Sequence, residues 1–258
     1  LAQATLLAPC AGLVSDSPAS RPKLAKPTRF DISRSAVKQY YRQELVNFDD
    51  TQYFVNITMG GQSQMAMIDT GSIELLLFSS HCKYWCGDNK DFYNSSHSLL
   101  HAEGDLHVVL TYQAGTLFGA EAYDSLAVGP LKVENQAFWE IVDANMPVLF
   151  EERDYQAILG LGPVDPQVKT MKMATDNSHA FAVVFESLNA STYSLCLKPG
   201  VGMNGYLTWH DKVHVEHASL FSRLRVIESG FWLLKLTNVR LGDRAIGCRR
   251  GCGAILDS

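Results

Sequence analysis

The feature that most constrains this chain is one pattern that occurs twice along it. Each copy begins with two aromatic residues, continues as a strand-like alternation to a glycine, and ends with an apolar run and an aspartate. The first copy comprises residues 53–54, Gly60, residues 65–68 and Asp69, and the second comprises residues 231–232, Gly242, residues 254–256 and Asp257. The repeat predicts two β lobes related by a pseudo-twofold axis, with the two aspartates facing each other. Two carboxyl groups that share one proton can activate a water molecule.

Size and charge limit the classes of partner that this chain can have. Its 258 residues, of which 47% are hydrophobic, are enough for one or two packed domains. A net charge of -5 gives no reason to expect nucleic-acid binding. The sequence contains no run of eighteen apolar residues, so it predicts no membrane span.

The N-terminal segment is more basic than the rest of the chain. Before Asn47 there are seven basic and three acidic residues, together with prolines at 18, 22 and 27. Two interpretations are open: the segment docks electrostatically on the acidic remainder of the chain, or it is a solvated linker. A helix is predicted near its end, over residues 35–45.

The six cysteines divide into two close pairs and two single residues. Cys82 and Cys86 form one pair, and Cys248 and Cys252 form the other. Short loops of this kind favour local disulfides, each contributing about 2 kcal/mol in the loop-entropy model. Cys10 and Cys196 have no predicted partner.

Glycosylation patterns point to a cellular compartment. Asn56, Asn94 and Asn189 each begin an Asn-X-Ser/Thr acceptor tripeptide. Together with the cysteine pairs, these tripeptides predict a protein of the secretory pathway, either extracellular or in an acidic vesicular compartment.

Metal coordination is an alternative interpretation of two features. Two cysteine pairs could ligate one zinc ion, but the pairs are far apart in the chain. His210, His214 and His217 also have ligand-like spacing, although their flanking residues predict a strand that leaves into a loop. The sequence is therefore predicted to hold no metal and no cofactor.

From residue 51 onward the sequence pattern is typical of a β protein. Short alternating or apolar runs end in glycine or polar turn residues, as is typical of sandwiches and barrels. Residues 106–112 and 117–128 are predicted to form a hairpin around Gly115, which can adopt a positive φ. In this part of the chain the helical patterns are confined to residues 171–173 and 181–188.

Taken in order, these motifs resemble those of the pepsin-like aspartic proteases over residues 51–258. The features that carry the resemblance are an opening strand at residues 53–60, the loop Asp69-Thr70-Gly71-Ser72, the cysteines at 82 and 86, the hairpin at residues 111–116, the apolar stretch at residues 157–162, and residues 248–258. The resemblance implies an all-β, bilobal fold with a complete N-terminal lobe and a C-terminal lobe that is only partly present. It divides the chain into a prosegment (1–48), an N-terminal lobe (49–200) and the start of a C-terminal lobe (201–258).

The resemblance also implies roles for particular side chains. Asp69 and Asp257 would be the catalytic pair, and Tyr112 and Gly115 would belong to a flap that closes over substrate. The residues expected to support the pair are Thr70, Gly71, Ser72 and Ser258; Ser72 and the Gly71 N–H would donate hydrogen bonds to Asp69. The residues expected to line the pocket before the scissile bond, which would favour an apolar or aromatic substrate residue, are Met67, Leu149, Tyr155 and Ile158.

The implied activity is hydrolysis of peptide bonds in peptides or proteins, without a metal or a covalent intermediate. One ionised carboxylate takes a proton from water, while the other, protonated, donates to the scissile carbonyl oxygen. Lys38 is expected to inhibit the pair as part of a zymogen prosegment. A partner chain that completes the C-terminal lobe is a further expectation.

The chain departs from the family pattern at three positions. Leu76 stands where a tryptophan usually partners the flap tyrosine, Gln113 stands where a glycine is often found, and Ser258 stands where threonine is frequent. The first departure predicts that Tyr112 lacks the usual indole hydrogen-bond partner.

Two functions from other classes remain open. A homologue that has kept the fold and lost the chemistry would act as a structural or binding subunit, and an incomplete second lobe favours this alternative. The other alternative is a retroviral-type dimer with one aspartate per chain, against which the internal repeat argues.

Overall fold

A computed structural model of the chain describes residues 3–7, 40–82, 86–87, 91–112, 114–147, 155–163, 183–190, 192–198, 200, 202–227 and 230–258. Strands predominate over these ranges, and the helices within them are three or four residues long. The prediction of an all-β protein is therefore confirmed. The described part of the chain contains no helix long and apolar enough to cross a bilayer.

The secondary structure consists of strands joined by turns and short helices. The strands are β1 (Gln3–Leu7), β2 (Tyr41–Phe48), β3 (Gln52–Met59), β4 (Gln62–Asp69), β5 (Leu75–Phe78), β6 (Ala102–Tyr112), β7 (Gly115–Val128), β8 (Leu131–Asn145), β9 (Ala157–Gly160), β10 (Tyr193–Cys196), β11 (Gly205–Trp209), β12 (Phe221–Arg225), β13 (Leu233–Leu236), β14 (Val239–Leu241), β15 (Arg244–Gly247) and β16 (Cys252–Ile255). The short helices are α1 (Val184–Ser187), α2 (Val213–Glu216) and two 3₁₀ turns, Ser95–His97 and Ala218–Leu220.

Ten of the strands form one sheet, in the order β10-β11-β2-β3-β4-β9-β5-β8-β7-β6, and β3 also pairs with β7. The β4–β9 and β5–β8 pairs are parallel, and the other pairs in this sheet are antiparallel. Strand β9 lies between β4 and β5, so it is hydrogen-bonded to the strands on both sides of the loop at residues 69–74. The predicted hairpin is confirmed as β6 and β7. Both strands begin earlier than predicted, at Ala102 and Gly115.

Strand β2 lies where a helix was predicted. The prediction over residues 35–45 is wrong for residues 41–45, and residues 35–39 lie outside the described residues. Gln43, Leu45 and Asn47 are buried, while Glu44 and Val46 between them are exposed, which is the two-residue period of a strand. Strand β2 pairs with β3 on one side and β11 on the other, and this pairing overrides the local helical pattern.

The other predicted helices have different outcomes. Helix α1 confirms the prediction for residues 184–187 of the range 181–188. The candidate at residues 171–173 lies outside the described residues.

The large sheet is covered by apolar side chains on both faces. Alternate residues of β5 enter different cores: Leu75 and Leu77 belong to one cluster, and Leu76 and Phe78 belong to the other. Successive side chains of a strand point to opposite faces, so a strand buried on both faces needs a continuous apolar run. This requirement explains the run Leu75–Phe78, in which every residue is buried.

Both close cysteine pairs are disulfides. Cys82 is bonded to Cys86, and Cys248 is bonded to Cys252, which confirms the predicted pairing and leaves none of the four as a thiolate ligand. None of the described cysteines is a free thiol. Cys10 lies outside the described residues.

The later strands pair in twos rather than joining the large sheet. The described pairs are β13 with β16, β14 with β15, and β12 with β1. Large apolar side chains are exposed in this part, namely Phe231, Leu241, Ile246 and Ile255. The large sheet itself crosses both predicted domain boundaries, because β2 precedes residue 49 and β11 follows residue 200. The division into domains stays a prediction.

Truncation of a core side chain tests the two-faced sheet. Leu77 is 0% exposed, and Leu100 is 61% exposed. We expect Leu77→Ala to lower the free energy of unfolding by about 2–5 kcal/mol, because it removes buried contacts and leaves a cavity. Leu100→Ala is the matched control, with an expected change within about 0.5 kcal/mol. Urea unfolding measures both, and equal changes in the two variants would contradict the placement of Leu77.

Candidate active site

The first aspartate stands where β4 ends at a supported turn. Asp69 is the last residue of β4, and its register partner on the parallel strand β9 is Gly160. The backbone N–H of Leu161 donates to the Asp69 carbonyl at 2.7 Å, and that of Gly162 donates to the Ser72 carbonyl at 2.7 Å. A Cβ on Gly160 would lie 2.5 Å from the Ile73 carbonyl carbon, so only glycine permits this close backbone packing.

Two donors orient the Asp69 carboxylate. The Gly71 N–H donates to Oδ1 at 2.8 Å, and the Ser72 hydroxyl donates to Oδ2 at 2.5 Å. Desolvation by burial raises the pKa of Asp69 above its ordinary value, and the charge of Asp257 and a hydrogen bond between the two carboxyl groups also raise it. The donors Ser72 and Gly71 act in the opposite direction on this pKa. The net effect favours a protonated Asp69 over a wider pH range than for a free carboxyl.

The second aspartate lies directly against the first loop. A Cβ on Gly71 would lie 2.5 Å from Oδ1 of Asp257, and no side chain larger than that of glycine fits there without displacing the carboxyl group. Asp257 follows strand β16 and is exposed, whereas Asp69 is half-buried. The two aspartates predicted from the repeat are therefore brought together, close enough for a hydrogen bond between their carboxyl groups.

Thr70 joins the two aspartate loops by hydrogen bonds. Its hydroxyl donates to the Leu256 carbonyl at 3.0 Å, and its N–H donates to the Ser258 hydroxyl at 3.3 Å. Thr70 is buried, which shields these bonds from competition with water. The bonds reach the residue before Asp257 and the residue after it, so they fix the second carboxyl group relative to the first.

Strand β6 brings Tyr112 to the first loop. Tyr112 ends β6 and Gly115 begins β7, and the side chain of Tyr112 packs on the apolar cluster below it. Burial raises the pKa of Tyr112, as do the charges of Glu74 and Asp69, while a hydrogen bond with Ser72 lowers it. The tyrosine hydroxyl thus reaches the serine that orients the first aspartate.

Three of the four predicted pocket residues lie in one apolar cluster with Tyr112. Tyr155 and Ile158 are buried members of the cluster, and Met67 packs against it. The ring of Tyr155 stacks on Phe54, with 5.5 Å between the ring centroids. The fourth predicted residue, Leu149, lies outside the described residues.

Sequence reasoning missed two residues near this cluster. Glu74 places a third carboxylate by the first loop: its Oε2 accepts from the Ile73 N–H at 3.2 Å, and its charge acts on Tyr112. Trp139 is the register partner of Leu76 on the parallel strand β8, and both belong to the cluster on which Tyr112 packs. Glu74 could have been found from the sequence, because it is a charged residue five positions after Asp69. The position of Trp139 follows only from the pairing of the strands.

The other predicted features are placed as follows. Lys38 lies outside the described residues. Asn56 is exposed on β3, Asn189 is exposed just after α1, and Asn94 is half-buried and caps a 3₁₀ turn. Within the ranges that the structure describes, no three histidine, cysteine, aspartate or glutamate side chains are grouped so that they could hold a metal ion.

The chain is similar to known proteins over most of its length. The family model described as eukaryotic aspartyl protease matches residues 52–258. Cathepsin E of Rattus norvegicus is 28% identical over 218 residues, covering 84% of this chain and 54% of the relative. Cathepsin E-A of Xenopus laevis is 27% identical, with coverage of 84% and 54%. Pregnancy-associated glycoprotein 2 of Sus scrofa is 26% identical, with coverage of 87% and 53%. The chain thus spans about half the length of these relatives.

Neutralising the first aspartate tests the electrostatics of the site. A carboxyl group whose pKa is raised on folding stabilises the fold only while it is protonated, and this contribution is lost as the pH rises through the folded-state pKa. We therefore expect Asp69→Asn to become more stable than the wild type as the pH rises above about 4, the ordinary carboxyl range, and to show no such gain below it. Urea unfolding at a series of pH values measures the difference, and parallel curves for the two proteins would contradict the raised pKa.

Proposed function

Because the chain belongs to the eukaryotic aspartyl protease family, we propose that it is an aspartic endopeptidase that hydrolyses peptide bonds with water held between Asp69 and Asp257. The observation that carries the proposal is the contact between the two loops. Gly71 leaves room for the Asp257 carboxyl group, and Thr70 bonds to the residues on both sides of Asp257.

The proposed mechanism uses one proton shared by two carboxyl groups. Two adjacent carboxylates repel each other, so the pair retains a proton at a pH where an isolated carboxyl would be ionised. The ionised member takes a proton from water, which attacks the scissile carbonyl carbon. The protonated member donates to the carbonyl oxygen, and a proton then passes to the leaving amine as the C–N bond breaks. Ser72 and Gly71 hold Asp69 in position throughout.

Substrate would bind between the hairpin tip and the apolar cluster. Tyr112 would close over the substrate and exclude water from the carboxyl pair. Met67, Tyr155 and Ile158, with Leu149, would form the pocket before the scissile bond. The apolar character of the first three supports a preference for an apolar or aromatic substrate residue there.

Regulation and location follow from the same proposal. The basic N-terminal segment would act as an inhibitory prosegment, with Lys38 against the carboxyl pair. Acid would release the segment by protonating the carboxylates that bind it. The two disulfides and the acceptor tripeptides at Asn56, Asn94 and Asn189 support passage through the secretory pathway.

A second candidate function is that of a structural or binding subunit without activity. The observation that favours it is that large apolar side chains of the late strands, including Leu241 and Ile255, are exposed and could contact another protein. A partner chain would bind over these side chains. On this candidate the chain would bind peptides or a protein partner and would not cleave them.

Cleavage assays with charge-removing variants decide between the two candidates. We expect the protein to cleave an unfolded protein substrate at acidic pH, and we expect Asp69→Asn and Asp257→Asn each to lower kcat by at least about 10²-fold, since each removes one partner in proton transfer. Asp243→Asn, which changes an exposed aspartate between β14 and β15, is the matched control and should leave kcat unchanged. Retained turnover in either site variant would contradict the proposed pair. Peptide binding without turnover in the wild type would favour the second candidate.

A further inference from the structure

We propose that Trp232 is a positioning residue that sets the second aspartate loop against the first. Its side chain binds the backbone behind Asp69, and its own carbonyl binds the residue before Asp257. The inference deepens the proposed function and rests on it, because it assigns a role within the same carboxyl pair.

The first half of the connection runs from Asp69 to the indole ring. The Leu161 N–H donates to the Asp69 carbonyl at 2.7 Å. The carbonyl of Leu161 in turn accepts from Nε1 of Trp232 at 2.9 Å. Leu161 is 1% exposed, so its backbone groups have little access to water and depend on protein partners.

The second half of the connection returns from Trp232 to the first loop. The Leu256 N–H donates to the Trp232 carbonyl at 3.1 Å. The carbonyl of Leu256 accepts from the Thr70 hydroxyl at 3.0 Å. Because Thr70 follows Asp69 directly, the hydrogen bonds close into a circuit that passes through both aspartate loops.

The circuit matters because the second loop is carried by a separate sheet. Strand β16, which leads to Asp257, pairs with β13, and neither strand joins the ten-stranded sheet that carries Asp69. The disulfide between Cys248 and Cys252 joins the start of β16 to a residue four positions earlier, and so does not connect it to the large sheet. Among the described residues, the bonds of Thr70 and the indole of Trp232 therefore link this two-stranded sheet to the backbone around Asp69.

Tyr193 supplies a matched control for the role of Trp232. Its hydroxyl donates to the same Leu161 carbonyl at 2.6 Å, and its ring meets that of Trp232 edge-on, with 6.2 Å between centroids. Tyr193 belongs to β10 in the large sheet, and its hydroxyl also accepts a hydrogen bond from the Trp232 side chain, but the bond that it donates ends on Leu161 and not on the second loop. Loss of either donor weakens the same acceptor, but loss of the Trp232 donor alone frees the loop that carries Asp257.

The kinetic test compares Trp232→Phe with Tyr193→Phe. We expect Trp232→Phe to lower kcat by roughly 10–100-fold with KM within about twofold, because a misplaced carboxyl group slows the chemical step and leaves the pocket intact. The acidic optimum of kcat should also shift, since the spacing of the pair sets how it shares a proton. Tyr193→Phe should keep kcat and its pH profile within about twofold of the wild type. Equal losses in the two variants, or a change confined to KM, would overturn the inference.

A second readout needs no turnover and so separates this inference from the proposed function. Amide hydrogen exchange at Leu256 should be faster in Trp232→Phe than in the wild type and unchanged in Tyr193→Phe. Replacing Trp232 by benzothienylalanine, which keeps the ring shape and lacks the N–H, should have the same effect if the phenylalanine variant does not fold. Unchanged exchange at Leu256 in both replacements would overturn the inference even if the wild type cleaves peptides. If exchange at Leu256 is faster in Trp232→Phe than in the wild type, but the wild type shows no turnover, the result would support the positioning role and contradict the proposed activity.

Discussion

The structure depends on one close contact, the one between the loop of Asp69 and the loop of Asp257. At this contact Gly71 has no side chain, and the space is taken by the Asp257 carboxyl group. The hydroxyl of Thr70 donates a hydrogen bond to the carbonyl of Leu256, so the contact between the loops involves backbone groups as well as side chains. A pair of carboxyl groups held this close is costly to ionise fully, and that cost is the physical basis of the proposed acid–base chemistry.

The rest of the fold supplies rigid backing for this contact. Strand β9 runs parallel to β4, and the residues after it bind the carbonyls of Asp69 and Ser72 from behind. Apolar side chains pack on both faces of the sheet, so the turn after β4 rests on a core rather than on solvent. Tyr112 at the end of β6 also interacts with this turn, through a hydrogen bond with Ser72. Among the described residues, the strand before the second loop, β16, pairs with β13 outside the large sheet.

Much of this arrangement could be predicted from the sequence because it is encoded locally. The repeated order of aromatic, glycine, apolar and aspartate residues predicted both Asp69 and Asp257, and the short cysteine spacings predicted the two disulfides. The helix predicted over residues 35–45 was wrong where β2 begins, because pairing with β3 and β11 decides the conformation there. The indole bond of Trp232 to Leu161 could not be predicted, because it joins positions 71 residues apart and depends on how two sheets meet. Trp139 was missed for the same reason, since its position beside Leu76 follows from strand register.

The measurement that tests the central claim most directly is a carboxyl-carbon NMR titration of Asp69 in the wild type and in Asp257→Asn. If the two carboxyl groups form a pair, Asp69 in the wild type titrates above the ordinary carboxyl value of 3.8, and removal of the Asp257 charge lowers its pKa. Desolvation keeps part of the elevation in the variant, so the pKa is expected to fall without returning fully to the ordinary value. A pKa of Asp69 that is the same in both proteins would contradict the pairing of the two aspartates.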